Sequence, residues 1–385
     1  MINPLGKSLV AGSRKSLFRW RQRGPDIDSG SAVVTRFGER SAMSNDGDII
    51  AISGIENTIG FVQVYKWDGI KYEPLGSKLS YGQANDEFGF WVDLNSSGTR
   101  LLVCAAEATN RAFIYHFNGT DWVLNRTFQK VGTQSTGIAC ISISGSGNRL
   151  VLGEGYFGSA YLWEWDGTQW NSLGRVTDGQ SGLKGLGVTI SGDGFTLGSS
   201  INGFSIFRVE SSGSTQRLSW DGSGAGTPTS PLKRNWLNED GSIFIDEEGQ
   251  SLVNTSELAR YREPAPSTAY LNILDTRVPA MNLPNTMMSK TARMISNQII
   301  SGTYFTRVYD ITPSYENGYT KVGQDIPHTG DSLGYGPTSP WTIDRAYPAI
   351  SGDGNTIGRG QSSRPNSLPY QTGSQSYTVH RLTIE

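Results

Sequence analysis

Cysteine and histidine are almost missing from this chain of 385 residues: two of the first and three of the second. Two thiols cannot make a disulfide framework. Each sits in an apolar strand phrase, Cys104 in LLVCAA and Cys140 in GIACISIS, which reads as a buried free thiol. His116, His328 and His380 are too scattered to form a metal site or a nucleophilic triad. No apolar run approaches the ~20 residues of a membrane span. The start, MINPLGKSLVAGSRKS, lacks the continuous apolar stretch of a secretory leader. A net charge of −2 excludes a polycation built for nucleic acid, so no specific nucleic-acid partner and no membrane insertion is expected. No glycine run precedes a helix as a phosphate cradle would require.

What is abundant is glycine, 48 residues, together with 26 Trp and Tyr. Glycine turns between aromatic phrases argue for all-β structure. One phrase recurs, two strand-like runs around a Ser-x-Asp-Gly-type turn. The turns begin at Ser44, Asn95, Ser144, Ser191, Asn238 and Ser351, with a degenerate copy near Ser289. Spacings of roughly 50 residues mark a repeat architecture. Within a repeat a second hairpin carries Trp-Asp-Gly or Phe-Asn-Gly, as in VQVYKWDGIKYEPLG and AFIYHFNGTDWVL. Two such hairpins give four antiparallel strands per repeat.

Both faces of the strands are apolar. Ala160 and Leu162 oppose Tyr161, Trp163 and Trp165; Ala112 and Ile114 oppose Phe113, Tyr115 and Phe117. Sheets covered on both sides read this way. The ends of the chain complement one another. SYTVHRLTIE lacks its following strand, and FRWRQRGPDIDSG supplies one at the other end. The expectation is a single closed β-propeller of seven four-stranded blades over 17–385. Residues 17–26 would complete the final blade beside 376–385, which removes free sheet edges. Residues 211–290 are Gly/Ser/Pro-rich and are read as diverged blades with long loops, a separate insertion being the alternative; 361–375 reads as a loop within the last blade.

Residues 1–24 hold six cations, Lys7, Arg14, Lys15, Arg19, Arg21 and Arg23, and no acid. Residues 1–16 are therefore a basic arm that docks on an acidic partner surface, with Lys7, Arg14, Lys15 and Arg19 as the contacting cations. Arg19, Arg21 and Arg23 also read as edge-strand charges of the closing blade.

The repeat FGFWVDLNSSGTRLLVCAA, followed by a Gly-aromatic strand and Trp-Asp-Gly-x-x-Trp/Tyr, resembles FG-GAP-like propeller repeats over nearly the whole chain. The basic arm on such a propeller is similar to structural proteins of tailed-phage virions. What the resemblance implies is a non-enzymatic tail, fibre or capsid-surface component, made in a host cytoplasm. It would dock on other virion proteins through its arm and engage a host surface glycan or receptor. A microbial carbohydrate-binding adhesin is the alternative, and a propeller glycoside hydrolase a third reading. No cofactor is expected. Calcium-binding FG-GAP loops need several acids on one turn, whereas SNDG, SGDG and NEDG suit turn chemistry. Sialidase-type Asp boxes are missing. A glycosidase needs two facing carboxylates, and nothing in the sequence points to such a pair, Glu247 with Asp275 being one example. The sequons at Asn95, Asn118, Asn125 and Asn254 say nothing without secretion.

Overall fold

The computed structural model describes residues 18–31, 33–105, 111–129, 137–154, 160–176, 188–200, 204–209, 215–220, 286–288, 293–300, 303–311, 319–327, 349–361 and 376–384. Every regular element among them is a strand. Among the described residues no helix is long and apolar enough to cross a membrane. Short β1 (Phe18–Gln22) and β2 (Ile27–Asp28) come first. The first sheet follows, with β3 (Val34–Thr35), β4 (Ser41–Met43), β5 (Ile49–Glu56), β6 (Ile59–Trp67), β7 (Tyr72–Pro74) and β8 (Leu79–Ala84). β3 and β4 are two pieces of one strand on β5, and β7 and β8 two pieces of one strand on β6. The second sheet is β9 (Phe88–Leu94), β10 (Arg100–Ala105), β11 (Arg111–Phe117) and β12 (Trp122–Gln129). The third is β13 (Ile138–Ile143), β14 (Arg149–Glu154), β15 (Ala160–Trp165) and β16 (Trp170–Val176). The fourth is β17 (Val188–Ile190), β18 (Thr196–Ser200), β19 (Phe204–Val209) and β20 (Thr215–Trp220).

The fifth sheet is β21 (Thr286–Met288), β22 (Arg293–Ile300), β23 (Thr303–Ile311), β24 (Tyr319–Lys321) and β25 (Ile326–Pro327), the last two both on β23. The sixth is β26 (Ala349–Ile350), β27 (Thr356–Gln361) and β28 (Ser376–Ile384). β1 and β2 complete it as two pieces of one strand on β28. The β1 ladder runs antiparallel from Phe18↔Ile384 to Gln22↔His380. The fold is thus all-β, built of four-stranded antiparallel meanders. The copy with its turn at Asn238 lies outside the described residues, as do most of 211–290 and all of the expected loop 361–375 except Gln361, the last residue of β27.

Strand period explains the stacking. On β10, Leu101, Val103 and Ala105 join a core with Val62 and Val64 of the first sheet. Leu102 and Cys104, on the opposite face, join one with Ile141, Leu150 and Leu152 of the third. Alternation puts successive side chains on opposite faces, so each sheet is a partner to two neighbours. Similar clusters join the third sheet to the fourth, the sixth to the first, and the fifth to the sixth. Cys104 and Cys140 are buried in these layers as thiols, neither in a disulfide.

The Ser-x-Asp-Gly turns form a belt at one end of the strands. Asp353 N donates to Asn45 O at 2.8 Å, Asn45 N to Ser96 O at 2.8 Å, Ser96 N to Gly145 O at 2.9 Å and Gly145 N to Gly192 O at 2.8 Å. Each bond joins the turns of adjacent sheets. The turn glycine also rests on the neighbouring sheet. A Cβ at Gly47, whose φ is +74°, would lie 2.5 Å from Thr356 Cβ. Positive φ and close approach together leave glycine as the residue that fits.

Candidate functional site

Of the cations chosen from the sequence, Lys7, Arg14 and Lys15 lie outside the described residues. Arg19 lies exposed on β1, opposite Thr383, whose Oγ1 donates to the Arg19 carbonyl at 3.0 Å. Arg23 departs from the expected edge-strand role. Its guanidinium folds onto the first sheet, with Nη2 2.5 Å from Asp48 Oδ1 and Nη1 donating to Gly47 O and the Tyr72 hydroxyl at 3.2 and 3.1 Å. It stacks 4.5 Å from the Trp67 ring centroid. Arg23 is a latch between the sixth sheet and the first, because a planar fork satisfies a carboxylate, a carbonyl and a ring face together.

The turn acids hold their own turns. Ser44 Oγ donates to Asp46 Oδ1 at 2.6 Å, and Asp46 Oδ1 also accepts from Asp48 N at 2.9 Å. Asp193 and Asp353 repeat that arrangement with Ser191 and Ser351. Asp166 caps the outer hairpin by accepting from Thr168 N and Gln169 N, both at 2.8 Å, and these bonds hold its carboxyl well below the usual range. Among the described residues no three His, Cys, Asp or Glu side chains gather as metal ligands. His380 is half-buried, and desolvation with the nearby Arg359 charge pulls its pKa down to about 4. His116 is half-buried on β11, and His328 lies outside the described residues.

A repeated feature that sequence reading missed joins arginines to aromatic pairs on the next sheet. Trp165 and Trp170 face each other across their hairpin at 5.7 Å. Arg100 of the second sheet lies 5.2 Å from the Trp165 ring and donates to Gly147 O at 2.8 Å. Arg149 repeats this one sheet on, 4.3 Å from Phe195 with its Nη1 on Gly194 O at 3.2 Å. The signal was present as arginine five residues after Asn95 and Ser144. Its meaning depends on which sheet lies next door.

The candidate site lies at the other end of the strands, between the first and second sheets. The β3–β4 loop and the β8–β9 loop wall a shallow cleft, open to solvent, whose enclosed space of about 20 Å³ is room for about one water. Arg36 bridges the loops, with Nη1 3.3 Å from Glu87 Oε1 and Nε 3.5 Å from Glu39 Oε2. Arg40 is 8% exposed and lies over Phe90 and Trp91, at 5.6 and 5.2 Å from their ring centroids. Its backbone is fixed by Arg40 N donating to Ser53 Oγ at 3.2 Å. The second wall is held by Phe90 N donating to Glu87 O at 2.8 Å and Phe88 N to buried Asp86 Oδ1 at 2.9 Å.

Backbone conformation singles out the same place. Among the described residues the non-glycine positions with positive φ are Arg36, Asn57, Thr58, Asn85 and Glu87, at 55°, 47°, 70°, 60° and 48°. Asn57 and Thr58 form the β5–β6 turn, and Asn85 N donates to Thr58 O at 2.9 Å. All five lie in the loops at this corner. Residues in such sparsely populated regions persist where surrounding structure over-determines them. No sequence motif marked Arg36, Glu39, Arg40 or Glu87. The pair Glu247 and Asp275 lies outside the described residues.

No protein-family model matches the chain, and no curated protein is found to be similar to it. Similarity to solved structures covers most of the chain, and these neighbours are propeller-like. One is a Bacteroides uniformis protein provisionally described as a 6-phosphogluconolactonase (12% identity, TM-score 0.40, covering 84% of this chain and 77% of that one). A chain of a mitotic checkpoint complex shares 15% identity at TM-score 0.48, over 98% and 97%. Hydrazine synthase of Kuenenia stuttgartiensis shares 13% identity at TM-score 0.44, over 88% and 95%. Nothing in them shows FG-GAP repeats or a link to phages. The expectation of a chain without enzymatic activity is corrected by the first of these, which bears an enzyme's description. At that level of likeness it assigns no reaction here. The all-β fold of four-stranded antiparallel sheets stands on the chain's own strand pairing.

Proposed function

We propose that the chain closes into a seven-bladed β-propeller and serves as an interaction module of a virus or tailed-phage particle. The basic segment 1–16 docks it on an acidic surface of another virion protein through Lys7, Arg14, Lys15 and Arg19. The ring is supported by the stacking order: fifth sheet on sixth, sixth on first, first on second, and onward to the fourth. Residues 221–285, between the fourth sheet and the fifth, are long enough for one more repeat of roughly 50 residues. The observation that carries the docking reading is the position of Phe18. Leu382 N donates to Asn355 O at 2.9 Å, and Phe18 pairs with Ile384. Phe18 therefore lies level with the turn belt, at the open edge of the sixth sheet. Phe18, the first described residue, thus sits at the rim of the proposed ring on the turn side, a position from which a preceding basic arm would reach a neighbour without disturbing the sheets.

Deletion of residues 2–15 tests this. Affinity for the particle or partner should fall, and its salt dependence should weaken with the lost charge. Unchanged affinity and salt dependence would move the interaction to the propeller loops. Electron microscopy of the isolated protein counts the blades, and any number other than seven overturns the ring as stated.

A further inference from the structure

We propose that Asn118, in the hairpin between β11 and β12, is a site of self-deamidation: the Gly119 backbone nitrogen attacks its side-chain amide, and two backbone N–H groups of the same turn stabilise the oxyanion that forms. The inference does not rest on the docking role of residues 1–16.

The turn supplies the geometry. Asn118 Oδ1 accepts from Thr120 N and Asp121 N, both at 2.9 Å, and Asn118 N donates to Asp121 O at 3.0 Å. The side-chain atom that meets two N–H donors is the amide oxygen, since the amide nitrogen only donates. These donors polarise the Asn118 carbonyl. They also lie at hydrogen-bond distance from the atom on which charge develops when Cγ is attacked, the arrangement of an oxyanion hole. Gly119 follows with φ at +101° and nothing within 4 Å of the position a Cβ would take. No side chain of its own screens its nitrogen. Asn118, Gly119 and Thr120 are all exposed, so solvent hydroxide reaches the Gly119 N–H.

The reaction consumes water and nothing else. Hydroxide takes the Gly119 amide proton, and the nitrogen bonds to Asn118 Cγ. The Cγ–Nδ2 bond breaks, and the departing nitrogen takes up a proton from water to leave as ammonia. The product is a cyclic imide. Water opens it at Cγ to give aspartate, or at the main-chain carbonyl to give isoaspartate. In sum one amide and one water become one carboxylate and one ammonium ion.

The neighbouring sheets carry at the same place what deamidation would leave. Asp68 precedes Gly69 in the β6–β7 hairpin, and Asp166 precedes Gly167 in the β15–β16 hairpin. Asp68 Oδ1 accepts from Ile70 N at 2.7 Å and Lys71 N at 2.8 Å, and Asp166 Oδ1 from Thr168 N and Gln169 N at 2.8 Å. Gly69 and Gly167 have φ at +108° and +104° and equally open surroundings. Asn118 is thus the amide form of a turn that both neighbours build with a carboxylate. A carboxylate accepts such bonds more strongly than an amide, so the aspartate product keeps the hairpin. Asp68 and Asp166 do not react in the same way. Their backbone hydrogen bonds hold both carboxyls below the usual range, and an ionised carboxylate resists a nucleophile.

The experiment is peptide-mapping mass spectrometry of the full chain, aged in mildly alkaline buffer both folded and in guanidinium chloride. The unfolded chain gives the rate of a bare Asn-Gly pair. In the folded chain, conversion of Asn118 to aspartate and isoaspartate is expected about tenfold faster. Thr120→Pro removes one of the two N–H donors. It should lose most of that gain when folded and match wild type when unfolded. The proposal fails if folded Asn118 reacts at or below its unfolded rate. It fails also if Thr120→Pro, melting cooperatively, keeps the wild-type folded rate. Should that variant lose cooperative melting, the comparison of folded with unfolded wild type decides alone. The rates in the protein lacking residues 2–15 should be unchanged, which separates this site from the arm.

Discussion

Gly47 rests on Thr356: a turn glycine of the first sheet meets the first residue of β27 in the sixth, and an added Cβ would lie 2.5, 2.7 and 2.8 Å from the Thr356 Cβ, Oγ1 and Cγ2 atoms. Gly69 has positive φ too, +108°, but nothing within 4 Å of its Cβ position. Gly47→Ala should cost about 3 kcal/mol, a sum of backbone strain and displaced neighbours. Gly69→Ala should cost about 1 kcal/mol from strain alone. Urea unfolding of the two variants measures the difference. Equal losses would mean that the sheets at this seam separate without cost.

Removing the Arg23 latch should destabilise the closure of the sixth sheet on the first. Arg23→Met is expected to cost about 2 kcal/mol, since Asp48 is half-exposed while the guanidinium is buried and stacked. Arg23→Lys should recover less than half, because an ammonium lacks the planar fork. A double-mutant cycle with Trp67→Leu should show coupling of about 1 kcal/mol, and none if the stacking is incidental.

His380 gives the acid limb of stability. Its folded pKa, about 4, lies below the ordinary value of 6.5, so the native state disfavours the charged form. The unfolded chain then binds more protons between those values, and stability rises with pH across that window. Full stability is present above pH ~6.5. About 2–3 kcal/mol is lost as pH falls to 4. In His380→Gln the slope of stability against pH between 4 and 6.5 should flatten. Urea melts at pH 4, 5 and 7 provide the check.

Asp93 is 2% exposed, and its Oδ2 accepts from Ile143 N at 3.0 Å and Ser142 Oγ at 3.2 Å across the second and third sheets. Asp93→Ala should cost about 2–3 kcal/mol by leaving a buried backbone donor unmet. Asp93→Asn keeps an acceptor and should cost about half as much. Thermal unfolding of the pair decides, and equal stability of Ala and wild type would remove any role for this bond.

The thiols should be inert in the native state. Burial pushes Cys140 up to about 12 and raises Cys104 as well. Ellman's reagent should count no thiol in native buffer and two in denaturant; fast reaction before unfolding would show that the seams open.

Strand order within each sheet was legible because hairpins are local. Asp-Gly and Asn-Gly turns fix two strands within a dozen residues, and alternation at Leu101 to Ala105 shows that both faces are covered. The pairing of β1 with β28 was legible for a different reason, since each end of the chain lacked the phrase the other held. Arg23 was misplaced because its composition is that of an edge strand, while its partners Asp48 and Trp67 belong to the neighbouring sheet. The cleft was invisible for the same reason. Arg36 and Glu87 are 51 residues apart, in loops of different repeats, and what distinguishes them is a left-handed backbone that arginine and glutamate do not advertise.

The β1 ladder gives the molecule a mechanical direction. Its five pairs begin at Phe18 and run inward to Gln22, so a pull on the N-terminus along the strand stresses all five at once. A pull outward, away from the sheet, meets them one after another from the Phe18 end. A tether at this terminus would therefore hold firmly against axial tension and yield to sideways force, as a strap grips in shear and lifts off when peeled.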